Sequence, residues 1–398
     1  MKKNLLEEFA DSVIKEKDKL LEFWLENSID AKNGGFYGEA DGGQVNLEAD
    51  KALILNSRIL WSFASAYRED KDPEYLEMAE RAYEYLLKNF EDHQYGGFYW
   101  LLNYKGEVVE AKKQIYGQAF CIYALSEYYQ AAEKEEALKK AVDLFALVEN
   151  KSYDPEYEGY FEALSRDWSP AADMSLSEKD MNVAKSMNTH LHILEAYTNL
   201  YRVWPDPELK QKLEELIKVT INKIVDQNEY HFKLFFDQDW SSKSDIISYG
   251  HDIEGSWLIY EAAEVLGEQV LLEITEDYAL KMAAAVLENG TAADGSIYYE
   301  KEGDHLDRDR HWWPQAEAVV GFINAYQLSG EEKFIQAAVK SWQYIIENLI
   351  DHQNGGWYWL VDDQGVPSQK AKINSWKSPY HNSRACYEII NRMRNILS

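Results

Sequence analysis

Five of the nine histidines, His190, His192, His251, His311 and His381, fall inside short polar segments that make up a small part of the 398-residue sequence. Those segments are Asn56-Ser57-Arg58, Tyr116-Gly117-Gln118, Asn188 to His192, Tyr249 to Glu254, His311 to Glu317 and Trp376 to Arg384. Imidazole titrates near neutral pH, so a histidine can take a proton from a substrate and give one back. His192, His251 and His381 recur at comparable places in different segments, which marks them as candidates for acid–base chemistry. Residues four apart on a helix share a face and residues two apart do not. Asn188 and His192 therefore point one way and His190 another, and His190 reads as a core histidine. By the same rule Glu254, three residues beyond His251, is the expected carboxylate that orients its ring. Trp313 and Trp376, set among polar residues, suggest flat faces on which a sugar ring stacks. The isolated His93, His231, His305 and His352 read as surface or loop residues.

The elements that must position these side chains come from a repeat. Gly-aromatic signals stand at Gly34-Gly35-Phe36-Tyr37, Gly96-Gly97-Phe98-Tyr99-Trp100, Gly159-Tyr160-Phe161, Gly295 to Tyr299 and Gly355 to Trp359, with Phe232 to Phe236 in the fourth place. Each follows an amphipathic helix such as Pro73 to Leu86 and precedes a more uniformly apolar one such as Tyr116 to Tyr129 or Ala318 to Leu328. A helix apolar on most sides requires burial on most sides. Six such pairs predict an all-α fold of two concentric rings, an (α/α)6 barrel, with short strands or hairpins over one mouth. The polar segments begin the inner helices, so they converge on that mouth although they are distant in sequence. With few prolines and no flexible linker, residues 1–398 read as one domain. The irregular 168–186 stretch reads as a long loop beside the mouth.

The formal net charge of −29 would repel a phosphate backbone, which argues against nucleic acid and anionic membrane surfaces as partners. No run is apolar and long enough to span a bilayer, and the charged N-terminal segment Met1 to Asp11 does not read as a signal peptide. A cytoplasmic protein is expected. Cys121 and Cys386 lie far apart in helical segments and read as packing thiols. With no HExxH, Walker loop or GxGxxG after a strand, neither a metal nor another cofactor is expected.

The segments Met187 to Arg202, Gly250-His251-Asp252-Ile253-Glu254, Trp312 to Glu317 and Pro379-Tyr380-His381-Asn382-Ser383-Arg384 resemble those of the N-acylglucosamine 2-epimerase superfamily, and within it the cellobiose 2-epimerases. The resemblance runs over essentially the whole chain. It implies an (α/α)6 barrel that inverts C2 of the reducing-end glucose of cellobiose, lactose or related oligosaccharides through a cis-enediol(ate). It further implies that His251 and His381 are the acid–base pair and His192 an essential third histidine. Arg58, Tyr116, Asn188 and Glu254 are then hydrogen-bonding residues, and Trp313 and Trp376 stacking platforms. The expected state is a monomer acting on a small-molecule sugar. Three other readings stay open: an aldose–ketose isomerase, which would protonate the same enediol at C1; an inverting glycoside hydrolase using Glu254 and Glu317; and a carbohydrate-binding protein without turnover.

Overall fold

The computed structural model describes residues 3–177 and 179–398; Met1 and Lys2 of the N-terminal segment and Glu178 of the 168–186 stretch lie outside them. Twelve helices follow one another along the described residues. The first six are α1 (Lys3–Asn27), α2 (Leu53–Asp70), α3 (Pro73–Tyr85), α4 (Ile115–Ala132), α5 (Glu135–Ser152) and α6 (Met187–Val203). The remainder are α7 (Pro207–Val219), α8 (Tyr249–Leu266), α9 (Gln269–Ala285), α10 (Trp312–Ser329), α11 (Glu332–Tyr344) and α12 (Tyr380–Leu397). The even-numbered helices pack each against the next, and α12 packs back on α2, so they close an inner ring. The odd-numbered helices lie outside it, each against its inner partner. Composition explains the sorting. In α4 every residue from Ile115 to Tyr128 is buried, whereas α3 buries one stripe (Tyr75, Met78, Ala79, Ala82, Tyr83, Tyr85) and leaves Glu74, Glu77 and Glu84 in solvent. These rings are the predicted (α/α)6 barrel. No helix among the described residues is long and apolar enough to cross a membrane.

Short strands stitch the units together at one mouth. The residues just before each inner helix pair with those that follow the next unit's Gly-aromatic turn. Lys51-Ala52 pairs with Leu101-Leu102, Lys113-Gln114 with Ala163-Leu164, and Lys185-Ser186 with Phe235-Phe236. Ile246–Ser248 then pairs with Glu300–Glu302, and Arg310-His311 with Leu360-Val361. The ring closes where Ile373 meets Ala40 through backbone bonds of 2.9 and 3.0 Å.

The Gly-aromatic signals are the turns that hold this stitching. In the first, Asp30 Oδ1 accepts from the N–H groups of Lys32 and Asn33, and Gly35 takes φ +62° where a Cβ would meet the Tyr85 ring at 2.7 Å. A buried lysine ahead of the inner helix reaches back to the turn's aspartate. The pairs are Lys51–Asp30 (2.8 Å), Lys113–Asp92 (3.0 Å), Lys185–Asp154 (2.8 Å) and Lys372–Asp351 (2.5 Å). A second pin is the fourth residue of an inner helix, which turns outward. Gln118 brackets the backbone of Phe98 (2.9 and 2.9 Å), Gln315 that of Ile297 (2.7 and 2.8 Å), His190 Nε2 accepts from Tyr160 N (2.8 Å), and Asp252 accepts from Phe232 N (2.7 Å). With the fourth residue turned out, the second and sixth face the barrel axis.

Removing one partner of a buried ion pair leaves the other charge uncompensated. Lys51→Met is therefore expected to lower the unfolding free energy by about 3–5 kcal/mol, read from urea denaturation.

Candidate active site

All nine residues expected at the site, Arg58, Tyr116, Asn188, His192, His251, Glu254, Trp313, Trp376 and His381, line one cavity of about 1180 Å³ at the stitched mouth. Tyr116, Asn188, Trp313 and His381 are second residues of their helices, and Arg58, His192 and Glu254 are sixth residues. The 168–186 stretch flanks the opening, as expected, and contributes Leu176, Asp180, Met181 and Val183 to the wall.

Behind the cavity wall lies a buried cation that the sequence reading left without a role. Arg384, 3% exposed, donates through Nη1 to Glu195 and through Nη2 to Glu254 and Glu317 (2.7 Å), and its Nη1 also meets the Tyr380 hydroxyl. Two of those carboxylates orient histidines. His192 Nδ1 donates to Glu195 at 2.9 Å, and His381 Nδ1 donates to Glu317 at 2.7 Å. His251 Nδ1 shares a hydrogen bond of 2.8 Å with the Ser248 hydroxyl. In all three rings Nδ1 is engaged, which leaves Nε2 as the nitrogen available to a ligand. His251 and His381 pack on one indole, that of Trp313, with ring centroids 4.6 and 5.6 Å away.

This corrects one expected pairing. Glu254 does not orient His251; it bonds Arg384 and lies 3.8 Å from His381 Nδ1. The His251 ring leans back toward the start of its helix, where Ser248 waits, while Glu254 points to the barrel axis. A second correction concerns His231, which is no surface residue: it is buried and its Nδ1 lies 2.7 Å from Asp252 Oδ2. His93, His305 and His352 are exposed as expected, and His190 faces outward into the core. His311 lines the cavity with its ring stacked on Tyr299 at 3.8 Å.

Electrostatics favour a neutral ligand. Burial, then the nearby His192, pushes the His251 imidazole down to about 3, and burial with Arg58 and Arg384 holds His381 well below its ordinary value. Burial and then Glu317 raise the Glu254 carboxyl to about 7. Burial also works on Glu195, but Arg384 and His192 outweigh it and keep that carboxyl at about 2. Arg58 is held over the Phe120 ring (4.4 Å), donates to the Tyr116 hydroxyl at 2.7 Å and reaches the Trp376 carbonyl at 3.3 Å. Asn188 Oδ1, Glu254 Oε2 and Arg58 Nε are buried without a partner among the described residues, on side chains that line the cavity.

Ligand atoms of Glu254, Glu317 and His381 lie within 4.8 Å of one another, a spacing a metal ion could use, but both carboxylates already bind the Arg384 guanidinium. The same spacing is shorter than the ~6.5–9.5 Å that an inverting glycosidase leaves between its carboxyl groups for a water. Sequence reasoning missed Ser248, Glu195, Tyr380 and Arg384 as members of this network. The signal for two of them was present: Glu195 follows His192 by three residues and Arg384 follows His381 by three.

Because its folded-state value is depressed, His251 should take a proton only as pH falls toward 3. In an NMR titration of ring-labelled histidine, the His251 signal, assigned by its loss in His251→Gln, is expected to remain neutral at pH 5, where an unperturbed imidazole of pKa about 6.5 is mostly protonated.

Residues 34–385 match the model of the N-acylglucosamine 2-epimerase (GlcNAc 2-epimerase) family. The cellobiose 2-epimerase of Bacteroides fragilis is 48% identical over 376 residues, which cover 94% of this chain and 96% of that one. The cellobiose 2-epimerase of Dictyoglomus turgidum is 40% identical over 379 residues, with 94% and 96% covered. The solved structure of cellobiose 2-epimerase from Bacillus thermoamylovorans superposes with a TM-score of 0.92 at 40% identity, over 97% of this chain and 100% of that chain. With its barrel, its histidine-lined mouth and these likenesses over nearly its full length, this chain belongs to the N-acylglucosamine 2-epimerase family.

Proposed function

We propose that the chain is a cellobiose 2-epimerase, which reversibly inverts C2 of the reducing-end glucose of β-1,4-linked disaccharides and oligosaccharides, turning cellobiose into glucosyl-mannose and lactose into epilactose. The observation that carries this is the pair of imidazoles, His251 and His381, set against a single indole with Nδ1 of each engaged. The roles of the site residues follow from that pair. Opening of the hemiacetal exposes the C1 aldehyde, which acidifies the C2 proton. One ring, neutral, takes that proton through Nε2; the electron pair moves toward C1 and leaves negative charge on O1 of a cis-enediolate. Arg58 stabilises that charge. Rotation about the C2–C3 bond presents the other face, and the second ring, also neutral at rest, takes up a proton from water at Nε2 once the negative charge of the enediolate stands beside it and returns that proton to C2 as the carbonyl re-forms. The first ring releases the proton it took to water, so both rings end neutral and C2 carries a proton from solvent.

Glu317 and Ser248 supply the fixed ring orientation that two-sided transfer requires. Trp313 and Trp376 act as stacking faces, and Asn188, Tyr116 and Glu254 bond sugar hydroxyls. In the same reading residues 1–398 work as one catalytic domain, as a monomer in the cytoplasm. The two cysteines, both buried free thiols, fit a reducing compartment.

Cellobiose incubated with the enzyme in heavy water is expected to give glucosyl-mannose with deuterium at C2; product formed without solvent label, or a ketose as the main product, would sink the reading. His251→Ala and His381→Ala should each lower kcat by about 10²–10⁴-fold. Glu317→Gln, which keeps the shape but removes the anion behind His381, should lower kcat while leaving KM nearly unchanged when initial rates of glucosyl-mannose formation are measured against cellobiose concentration.

A further inference from the structure

Helix α8 carries both His251 and Glu254 into the cavity, yet its first turn has no side-chain cap. Ser248 stands at the cap position with its hydroxyl on the His251 ring, so it makes no bond to a backbone N–H of the turn. The turn is held instead from the opposite face by Asp252, whose Oδ1 accepts from Phe232 N at 2.7 Å and whose Oδ2 bonds His231 Nδ1 at 2.7 Å. His231 is 4% exposed, edge-on to the Tyr249 ring at 5.7 Å, with Nε2 3.5 Å from Asn289 Nδ2. Nothing around the turn gives easily. A Cβ added at Gly250 would meet Trp313 at 2.6 Å, and one at Gly255 would meet the Phe232 ring at 2.2 Å. The start of α8 is thus wedged between the cavity tryptophan and the outer turn that holds His231. Of the six fourth-position residues, Asn56, Gln118, His190, Asp252, Gln315 and Ser383, Asp252 alone is an acid, and it adjoins His251 in the chain.

We propose that His231 and Asp252 form a positioning pair that sets the angle at which His251 offers Nε2 to the sugar carbon; this rests on the role in proton transfer proposed above for His251. Proton transfer to carbon is steeply sensitive to such angles, and a displacement of about 1 Å can lower a rate ~10²-fold. Neither residue touches the sugar. Their contribution acts entirely through the helix that carries the base.

The test compares His231→Phe, which fills the space without a donor, with His231→Asn, whose amide N–H can stand where Nδ1 stands. For His231→Phe with cellobiose, kcat is expected to fall by about 10- to 100-fold with KM within about twofold, and the C2-deuterium isotope effect on kcat to rise. His231→Asn should recover kcat to within about threefold of the parent enzyme. If folded His231→Phe, checked by circular dichroism and a melting point above the assay temperature, keeps the parent kcat and isotope effect, the proposal is overturned and the pair serves stability alone. Should His231→Phe not fold, Asp252→Asn decides, since it keeps an acceptor for Phe232 N and loses the anion: a lowered kcat at constant KM supports the pair, and an unchanged kcat overturns it. His251→Ala is measured alongside. Activity lost there but intact in His231→Phe removes the positioning pair only, whereas activity retained in His251→Ala removes the reading on which it rests.

Discussion

The buried guanidinium of Arg384 is the interaction on which the site depends. Four inner helices meet through it: α12 supplies the cation, and α6, α8 and α10 supply Glu195, Glu254 and Glu317. A buried charge is tolerable only when its partners are close and well directed. Here the requirement works in both directions, because the guanidinium satisfies the carboxylates that in turn fix the rings of His192 and His381. Three carboxylates share one guanidinium: burial holds Glu254 and Glu317 above their ordinary values, whereas Arg384 and His192 outweigh burial at Glu195 and keep it low. The catalytic face of the barrel and its packing are therefore one electrostatic unit.

The ring geometry follows from a simple property of the α-helix. Residues four apart share a face, and residues two apart lie on nearly opposite ones. In α4, α6, α8 and α10 the fourth residue anchors the helix outward to a Gly-aromatic turn or its counterpart, so the second and sixth are delivered to the axis. The same register that ties Gln118, His190, Asp252 and Gln315 to the outer turns brings Tyr116, Asn188, His192, Glu254 and Trp313 into one cavity. Structural pins and chemical groups are interleaved along each helix start.

The cavity is arranged for a neutral, polyhydroxylated molecule. His251 and His381 are held toward their uncharged forms by burial, Arg58 and Arg384 are already bonded, and aromatic rings share the wall with polar side chains. In the reaction proposed, negative charge developing on a sugar oxygen would meet a space already ordered by these bonds, with Arg58 in its wall. Such preorganisation needs no rearrangement at the moment of proton transfer.

Much of this was legible in the residues alone. Hydrophobic periodicity and the recurring Gly-aromatic signal determined the alternation of outer and inner helices, since a helix apolar on all sides must be buried on all sides. The polar segments at the inner-helix starts determined which residues face the cavity, and helical spacing separated His192 from His190. Spacing failed where partners come from different helices. Glu254 is near His251 in the chain, yet its carboxylate binds Arg384 from α12, and His251 turns to Ser248. His231 looked like an isolated loop histidine because its partner Asp252 lies 21 residues away on another element. Sequence records local periodicity, which is set by backbone geometry over a few residues. Which charge meets which, and hence each ring's orientation, was decided only by closure of the barrel, because in a low-dielectric interior those pairings depend on distances between helices that no single segment encodes.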